Sequence, residues 1–309
     1  MVRIRHSSWV VVALVAGFAG AAFAQPAKKL PAKAADDLAL IPMDSEVVGG
    51  LDFAQVQTSK LWKQFVEPQL AKNEVRKQID EFKTNCGVDP MKSVTKMSFG
   101  MKGIGNPNPD GVIVAHGVPK AKLTACFDKM VKAKQGQAKI VRDGDIVTIT
   151  TKDNQPVAFM FLDDSTALVV VGTQANTAGV KGIAKGTSTL RTSAAFSDLH
   201  KKTNTNDTLW MIINGNSKAF DQMRGMGMKP KAVFGSVNVT KDLTMDLRMR
   251  MESAGEATNI ASMMQSQVKG AAGMFDKLQV SSDGADVKAL VVLSDAKLQG
   301  LLKTFGATP

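Results

Sequence analysis

Cysteine is scarce. The 309-residue chain has two, too few for a disulfide-dense small scaffold. Glycine and proline, at 26 and 11 residues, are too few for a collagen-like chain and follow no three-residue period. Histidine is rare as well, and after the N-terminal segment only His116 and His200 occur. The chain lacks H-E-x-x-H, G-x-S-x-G, a Walker loop and G-x-G-x-x-G at a strand-to-helix turn. Metal hydrolysis and triad chemistry therefore lack their usual parts. Long apolar runs are missing after residue 23, the best of them, 167–172, covering one strand only.

What is present is ordinary globular chemistry, with 44% hydrophobic and 22% charged residues and a mean hydropathy of −0.04. At about 100–200 residues per domain, the length predicts two domains or one duplicated plan. Residues 1–24 have the grammar of a secretory signal peptide: Arg3, Arg5 and His6 precede an apolar run over 9–23 that ends in Ala22-Phe23-Ala24. Cleavage is expected after Ala24. Cys86 is the first cysteine, so no lipid acceptor stands at that site. The expected product is exported, periplasmic or extracellular, and soluble. In such an oxidising compartment Cys86 and Cys126 are expected to form a structural disulfide. Loss of Arg3 and Arg5 brings the formal charge from +11 to +9. For a basic exported protein the anions to expect are lipid headgroups or polysaccharide rather than nucleic acid.

Residues 25–40, rich in Ala, Lys and Pro, read as a tether. A first α+β repeat is predicted over 41–172, a helical connection over 173–206 and a second α+β repeat over 207–309. The first repeat opens with a strand over 45–53, in which Gly49-Gly50 marks a bulge, and a helical region that Pro68 kinks or divides. Cys86-Gly87-Val88-Asp89-Pro90 ends that region with a glycine cap. Strands over 94–101 and 112–115 form a hairpin. Leu123, Cys126, Phe127, Met130 and Val131 then make one face of an amphipathic helix. Hairpins follow at Asp143-Gly144 and Asp163-Asp164-Ser165. The second repeat reads as a strand over 208–213, a short helix, a hairpin across Lys241-Asp242, a helix over 257–275, a hairpin at Asp283-Gly284 and a closing helix. This order matches the split βαβ arrangement. The expected fold class is α+β, built as two ferredoxin-like-order sheet-and-helix repeats with mainly antiparallel sheets.

The run Ile41-Pro42-Met43-Asp44-Ser45-Glu46-Val47-Val48-Gly49-Gly50-Leu51-Asp52, then Ser59-Lys60-Leu61-Trp62, then Cys86-Gly87-Val88-Asp89-Pro90, resembles a loose group of uncharacterised secreted bacterial proteins. Ala194-Ala195-Phe196 and Trp210 look like that group's signposts in the second half. The resemblance implies export and a repeated α+β build, and it brings no activity or site.

Chemistry-bearing candidates are few. Asp36-Asp37 falls in the tether and Asp163-Asp164 in a turn, neither a desolvated cleft. His116 at a strand end and His200 among polar helical residues read as structural or solvent-facing. Met223, Met226 and Met228 have a spacing that suits Cu(I), yet methionine is abundant here and fills irregular cores, so no metal or cofactor is expected. Between Lys120 and Arg142 there are seven basic residues against Asp128 alone. Lys122, Lys129, Lys132 and Lys134 are expected to contact anionic lipid or polysaccharide from the solvent side of their helix without inserting it. Met245, Met249, Met251, Met263 and Met264 are expected to line an adaptable surface for an apolar ligand. The leading functional expectation is a non-enzymatic envelope protein that binds an apolar or amphiphilic ligand. A scaffolding protein using its basic face comes second and an enzyme third.

Overall fold

The computed structural model describes residues 36–70, 73–106, 108–133, 138–151, 155–186, 189–225 and 227–304. Residues 1–24, expected to be a signal peptide, residues 25–35 of the expected tether, Lys134 and Met226 lie outside the described residues. Strands and longer helices run in the order β1 (Val47–Asp52), α1 (Asn73–Cys86), β2 (Lys96–Lys102), β3 (Asp110–His116), α2 (Lys120–Ala133), β4 (Ala138–Asp143), β5 (Ile146–Thr151), β6 (Val157–Phe161) and β7 (Thr166–Val171). They continue with α3 (Thr177–Ala184), α4 (Ala194–Lys201), β8 (Leu209–Asn214), β9 (Ala232–Asn238), β10 (Leu243–Arg250), α5 (Ala254–Val268), β11 (Lys277–Asp283), β12 (Asp286–Leu293) and α6 (Asp295–Thr304). The class is α+β, and every strand register described is antiparallel. Two compact units divide the chain. The first holds residues up to Met43, Val66–Met101 and Asn106–Thr192; the second holds Asp44–Phe65, Lys102–Gly105 and the chain from Ser193.

In the first unit the strand order is β2-β3-β7-β6-β5-β4. Val112 and Val114 of β3 lie opposite Val170 and Leu168 of β7, and with Ala158 they form a core that Leu40 and Val180 of α3 close. The opposite face carries Phe159, whose ring centroid is 4.3 Å from that of Phe127 on α2. The expected amphipathic stripe is therefore the buried side of α2, where Leu123, Cys126 and Phe127 are all inside. Cys86, at the end of α1, is bonded to Cys126, with their Cα atoms 4.6 Å apart. The disulfide is as expected.

In the second unit the order is β11-β12-β10-β9-β8-β1. β10 and β11 both pair antiparallel with β12, so they run parallel to each other with β12 between them and α5 as the crossover. That is a split βαβ unit, but it starts at β10 rather than at the strand of either predicted repeat. The expected ferredoxin-like order is thus corrected. It would set β10 between β8 and β9, whereas β8, β9 and β10 are sequential antiparallel neighbours. The physical reason is the connection between β8 and β9, whose helical turns, Lys218–Phe220 and Asp221–Gly225, are too short to cross a sheet. In the first unit, likewise, β4 lies at the end of the order beyond β5, β6 and β7.

Three boundaries also shift. β1, read with the first repeat, pairs along its length with β8 and belongs to the second unit. The helical connection over 173–206 divides, α3 going to the first unit and α4 to the second. Residues 36–40 are not tether: Asp37–Ala39 is a turn of 3-10 helix, and Leu38 and Leu40 are buried. Nor does Gly49-Gly50 form a bulge, since the β1–β8 register runs unbroken from Val47 to Leu51. Gly50 is small for another reason. A Cβ there would lie 2.3 Å from Nε1 of Trp210, its cross-strand partner.

Candidate apolar binding face

Side chains along a strand alternate between the two faces of its sheet. In the second unit the faces of β8, β9 and β10 differ sharply. One carries Trp210, Ile212, Phe234 and Ser236, all buried. Over it lies α4, where His200 sits between the rings of Phe196 and Trp210 at centroid distances of 5.5 and 5.3 Å. The other face carries Leu209, Met211, Ile213, Val233, Val237 and Met245, only half-buried, and Leu247, exposed at 38%. On β8 and β9 this second face is as apolar as the first but less completely buried, while on β10 the first face carries Asp246, Arg248 and Arg250.

Among the described residues, part of the second face's cover is α5. Ala257, Ile260 and Ala261 of that helix pack with Met251, Val280 and Val287, and Met228, Met249, Met264 and Ala289 extend the cluster. Hydrogen bonds that the side chains of Ser253 and Asp52 accept from first-turn amides fix the start of α5 and of the short helix after β1. Toward β9 and β8 the apolar surface continues beyond α5. Met211, Gly235 and Leu247 form a continuous cross-strand row there, joined by the registers Met211↔Gly235 and Gly235↔Leu247. Gly235 adopts φ +155°, and a Cβ would lie 2.1 Å from the Asp246 carbonyl oxygen, so glycine is required. With no side chain at its centre, the row is a trough walled by Met211 and Leu247, which lie two strand spacings apart, about 10 Å.

Of the five methionines expected here, Met249, Met251 and Met264 meet in the cluster under α5. Met245 lies half-buried on the same face of β10, while Met263 is turned outward on α5 and is 47% exposed. Met251 is core, at 1% exposure. The sequence reading missed Gly235, Leu247 and Met211. Their signal was nonetheless there, since β8 is apolar at five successive positions, Leu209 to Ile213, the mark of a strand with two apolar faces.

Polar groups gather elsewhere. On the packed face, Asp286 is 1% exposed and accepts from both Nε and Nη2 of Arg250 and from Lys202 Nζ at 3.2 Å. Burial pushes the Asp286 carboxyl up, but the hydrogen bonds from Arg250 and Lys202 and their charges outweigh it and hold the group below the ordinary carboxylate range. In the first unit, His116 Nε2 lies 3.0 Å from both oxygens of Asp37, and Ser98 Oγ donates to Asp37 Oδ2 at 2.7 Å. Serine, aspartate and histidine are thus brought together, but the serine bonds the carboxylate rather than the imidazole, which is not the connectivity that activates a nucleophile. The Asp37 carboxylate serves to anchor residues 36–40. Asp163 accepts from the amides of Ser165 and Thr166 at 2.7 Å each, the turn role expected of it.

Lys122 and Lys129 project into solvent from α2; Lys132 lies on the same helix. A surface depression along α1 is lined by Arg76, Lys77, Asp80, Glu81, Thr84 and Asn85, a charged set that does not suit an apolar ligand. Among the described residues no group of three or more His, Cys, Asp or Glu could hold a metal ion, and no helix is long and apolar enough to cross a membrane.

No family model and no curated protein matches the chain. Crystal forms III and IV of TP0453 are similar in fold, with TM-scores of 0.53 and 0.52 at 8% identity in each case. The matches cover 88% and 86% of this chain and 99% and 95% of those chains. At that identity the likeness is one of fold alone.

Proposed function

We propose that this chain is a non-enzymatic binding protein of the cell envelope, exported by cleavage of residues 1–24, and that it holds a single-chain amphiphile on the open face of β8–β10. The observation that carries the reading is the contrast between the two apolar faces of β8 and β9, one closed by α4 and the other half-covered. The trough over Gly235 supports one hydrocarbon chain as occupant, because its walls are about 10 Å apart between strand axes. The methionines beside it supply side chains that repack around different shapes. Basic residues on α2 support a secondary role in which Lys122 and Lys129, with Lys132 and Lys134, adsorb weakly to anionic lipid or polysaccharide.

The test is thermal and chemical unfolding of delipidated protein with and without oleate or lysophosphatidylcholine. An amphiphile at a hundred times its Kd should raise the unfolding free energy by about 2.7 kcal/mol. Leu247→Asp should remove that gain, and because Leu247 is only 38% exposed the gain is measured against the ligand-free Leu247→Asp protein rather than against wild type. No stabilisation by either amphiphile, or full stabilisation of the Leu247→Asp protein, would dispose of this reading.

A further inference from the structure

On the reverse face of β10, opposite the trough, Asp246, Arg248 and Arg250 alternate with the apolar residues. One step along the ladder decides their fates. Arg250 lies directly opposite Asp286, and Arg248 lies directly opposite Lys288. Like charges facing each other across a strand pair are unfavourable. At Arg250 the guanidinium is held by a buried carboxylate through Nε and Nη2, and Nη2 also donates to Asp198. At Arg248 the position that Asp286 fills beside Arg250 is taken by a second cation.

The Arg248 side chain is only 15% exposed, and its Nε is buried with no hydrogen-bond partner among the described residues. An unbonded buried donor on a charged group is costly and calls for an acceptor. Two carboxylates approach without bonding. Asp246 Oδ1 is 3.5 Å from Arg248 Nε, and Asp283 Oδ2 is 3.8 Å from both Arg248 Nη1 and Lys288 Nζ. These exceed the 2.7–3.2 Å of a formed N–H···O bond. Asp283 stands on the β11–β12 turn, 62% exposed, and is placed between two cations that it does not hold closely.

We infer that Arg248 and Lys288 form a receptor for a ligand carboxylate, and that Asp283 is its built-in competitor. A planar carboxylate entering from solvent bonds Arg248 end-on, at the Nη1 nitrogen that Asp283 approaches, while Asp246 stays beside the buried Nε, and it neutralises the opposed Lys288. Asp283 then swings out with its turn. This site and the amphiphile trough lie on opposite faces of β10, so either reading can fail without the other.

The experiment follows the Arg248 Nε–Hε resonance by NMR in the full chain, assigned by its loss in Arg248→Lys, during titration with acetate at constant ionic strength against chloride. The wild-type resonance should shift saturably with acetate and not with chloride. Asp283→Asn should bind acetate about tenfold more tightly, the effect of removing one charge-assisted competitor. Lys288→Gln should abolish saturation while leaving the unfolding midpoint unchanged or higher, because it relieves a repulsion, so lost binding is not lost folding. Inorganic phosphate is the second probe, and saturation by phosphate with none by acetate would overturn the carboxylate assignment. A shift that acetate and chloride share, persists in Lys288→Gln, or is untouched by Asp283→Asn would overturn the site.

Discussion

Cutting the bond between Cys86 and Cys126 is the perturbation whose magnitude the structure states most directly. The two residues are 40 apart in sequence, and closing a loop of that length removes chain entropy worth about 4 kcal/mol at 25 °C. Reduction of the native protein loses this term alone. Cys86→Ala with Cys126→Ala also loses two buried sulfurs, since the residues are 8% and 2% exposed. With a urea dependence of about 2 kcal/mol/M, the reduced protein should unfold about 2 M earlier, and the double variant earlier still. Far-UV circular dichroism should carry the shift. Trp62 and Trp210 both belong to the second unit and are buried, so their fluorescence reports that unit and should change after the dichroism does. A midpoint displaced by less than about 0.5 M on reduction would refute the loop-closure argument, and a fluorescence change that precedes the dichroism would refute the placement of the bond's effect in the first unit.

Asp286→Asn should cost about 3–5 kcal/mol, measured by urea unfolding at pH 7, because it leaves Arg250 and Lys202 without their buried carboxylate. The Asp286 carboxyl is held below its ordinary value, so its stabilising contribution is complete above the unfolded pKa near 3.9 and is lost as pH falls through the lower folded value; the advantage of wild type over the variant should shrink only below about pH 4. Gly50→Val should lower stability by about 1–3 kcal/mol, as overpacking does, and should shift the emission of Trp210, whose Nε1 lies where the new Cβ must go. Replacing Lys122, Lys129, Lys132 and Lys134 by Gln should weaken flotation with anionic vesicles at low salt, each lysine contributing about 1 kcal/mol near the surface, with the melting temperature nearly unchanged.

Local chemistry was legible in the sequence. Asp143-Gly144 and Asp283-Gly284 mark hairpins because their turn geometry is set by two residues, and the pairs they join are β4–β5 and β11–β12. The α2 stripe was legible because burial follows helical spacing, and it carried Cys126 inward to Cys86. Partner choice was not legible. Nothing local in Val47-Val48-Gly49-Gly50 says that it pairs with Leu209–Asn214 rather than with a nearer strand, and the reason for Gly50 is an indole 160 residues away. Asp37 misled in the same manner, and Asp286 drew no notice: one sits in an Ala- and Lys-rich stretch and the other beside a turn, contexts in which carboxylates are usually solvated. Their partners, His116 and Arg250, are brought to them by tertiary pairing alone. The open face was half-legible, because alternation shows which residues share a side but not what covers them.

That missing cover has a magnitude. Full burial of a Val, Leu, Ile or Met side chain stabilises by about 1.5–3 kcal/mol, so a residue left up to about a third exposed forgoes at most roughly 1 kcal/mol. Leu209, Met211, Ile213, Val233, Val237, Met245 and Leu247 together forgo roughly 7 kcal/mol, an upper value. A domain's whole stability is about 5–15 kcal/mol, so this is a large amount to leave unclaimed. The same unit closes its other face with Phe196, His200 and Trp210, which shows that its strands can be covered. Gly235 makes the open side deeper rather than filling it. A sheet that packs one apolar face and hollows the other is explained if cover on the hollow side comes from outside the chain. Only part of that 7 kcal/mol can become affinity, because association loses rotational and translational freedom. The remainder falls short of the about 8 kcal/mol of a micromolar complex, so that affinity is reached only if the chain extends past the trough to the methionines under α5. Affinity should therefore rise with chain length until Met249 and Met264 are reached, and then level off.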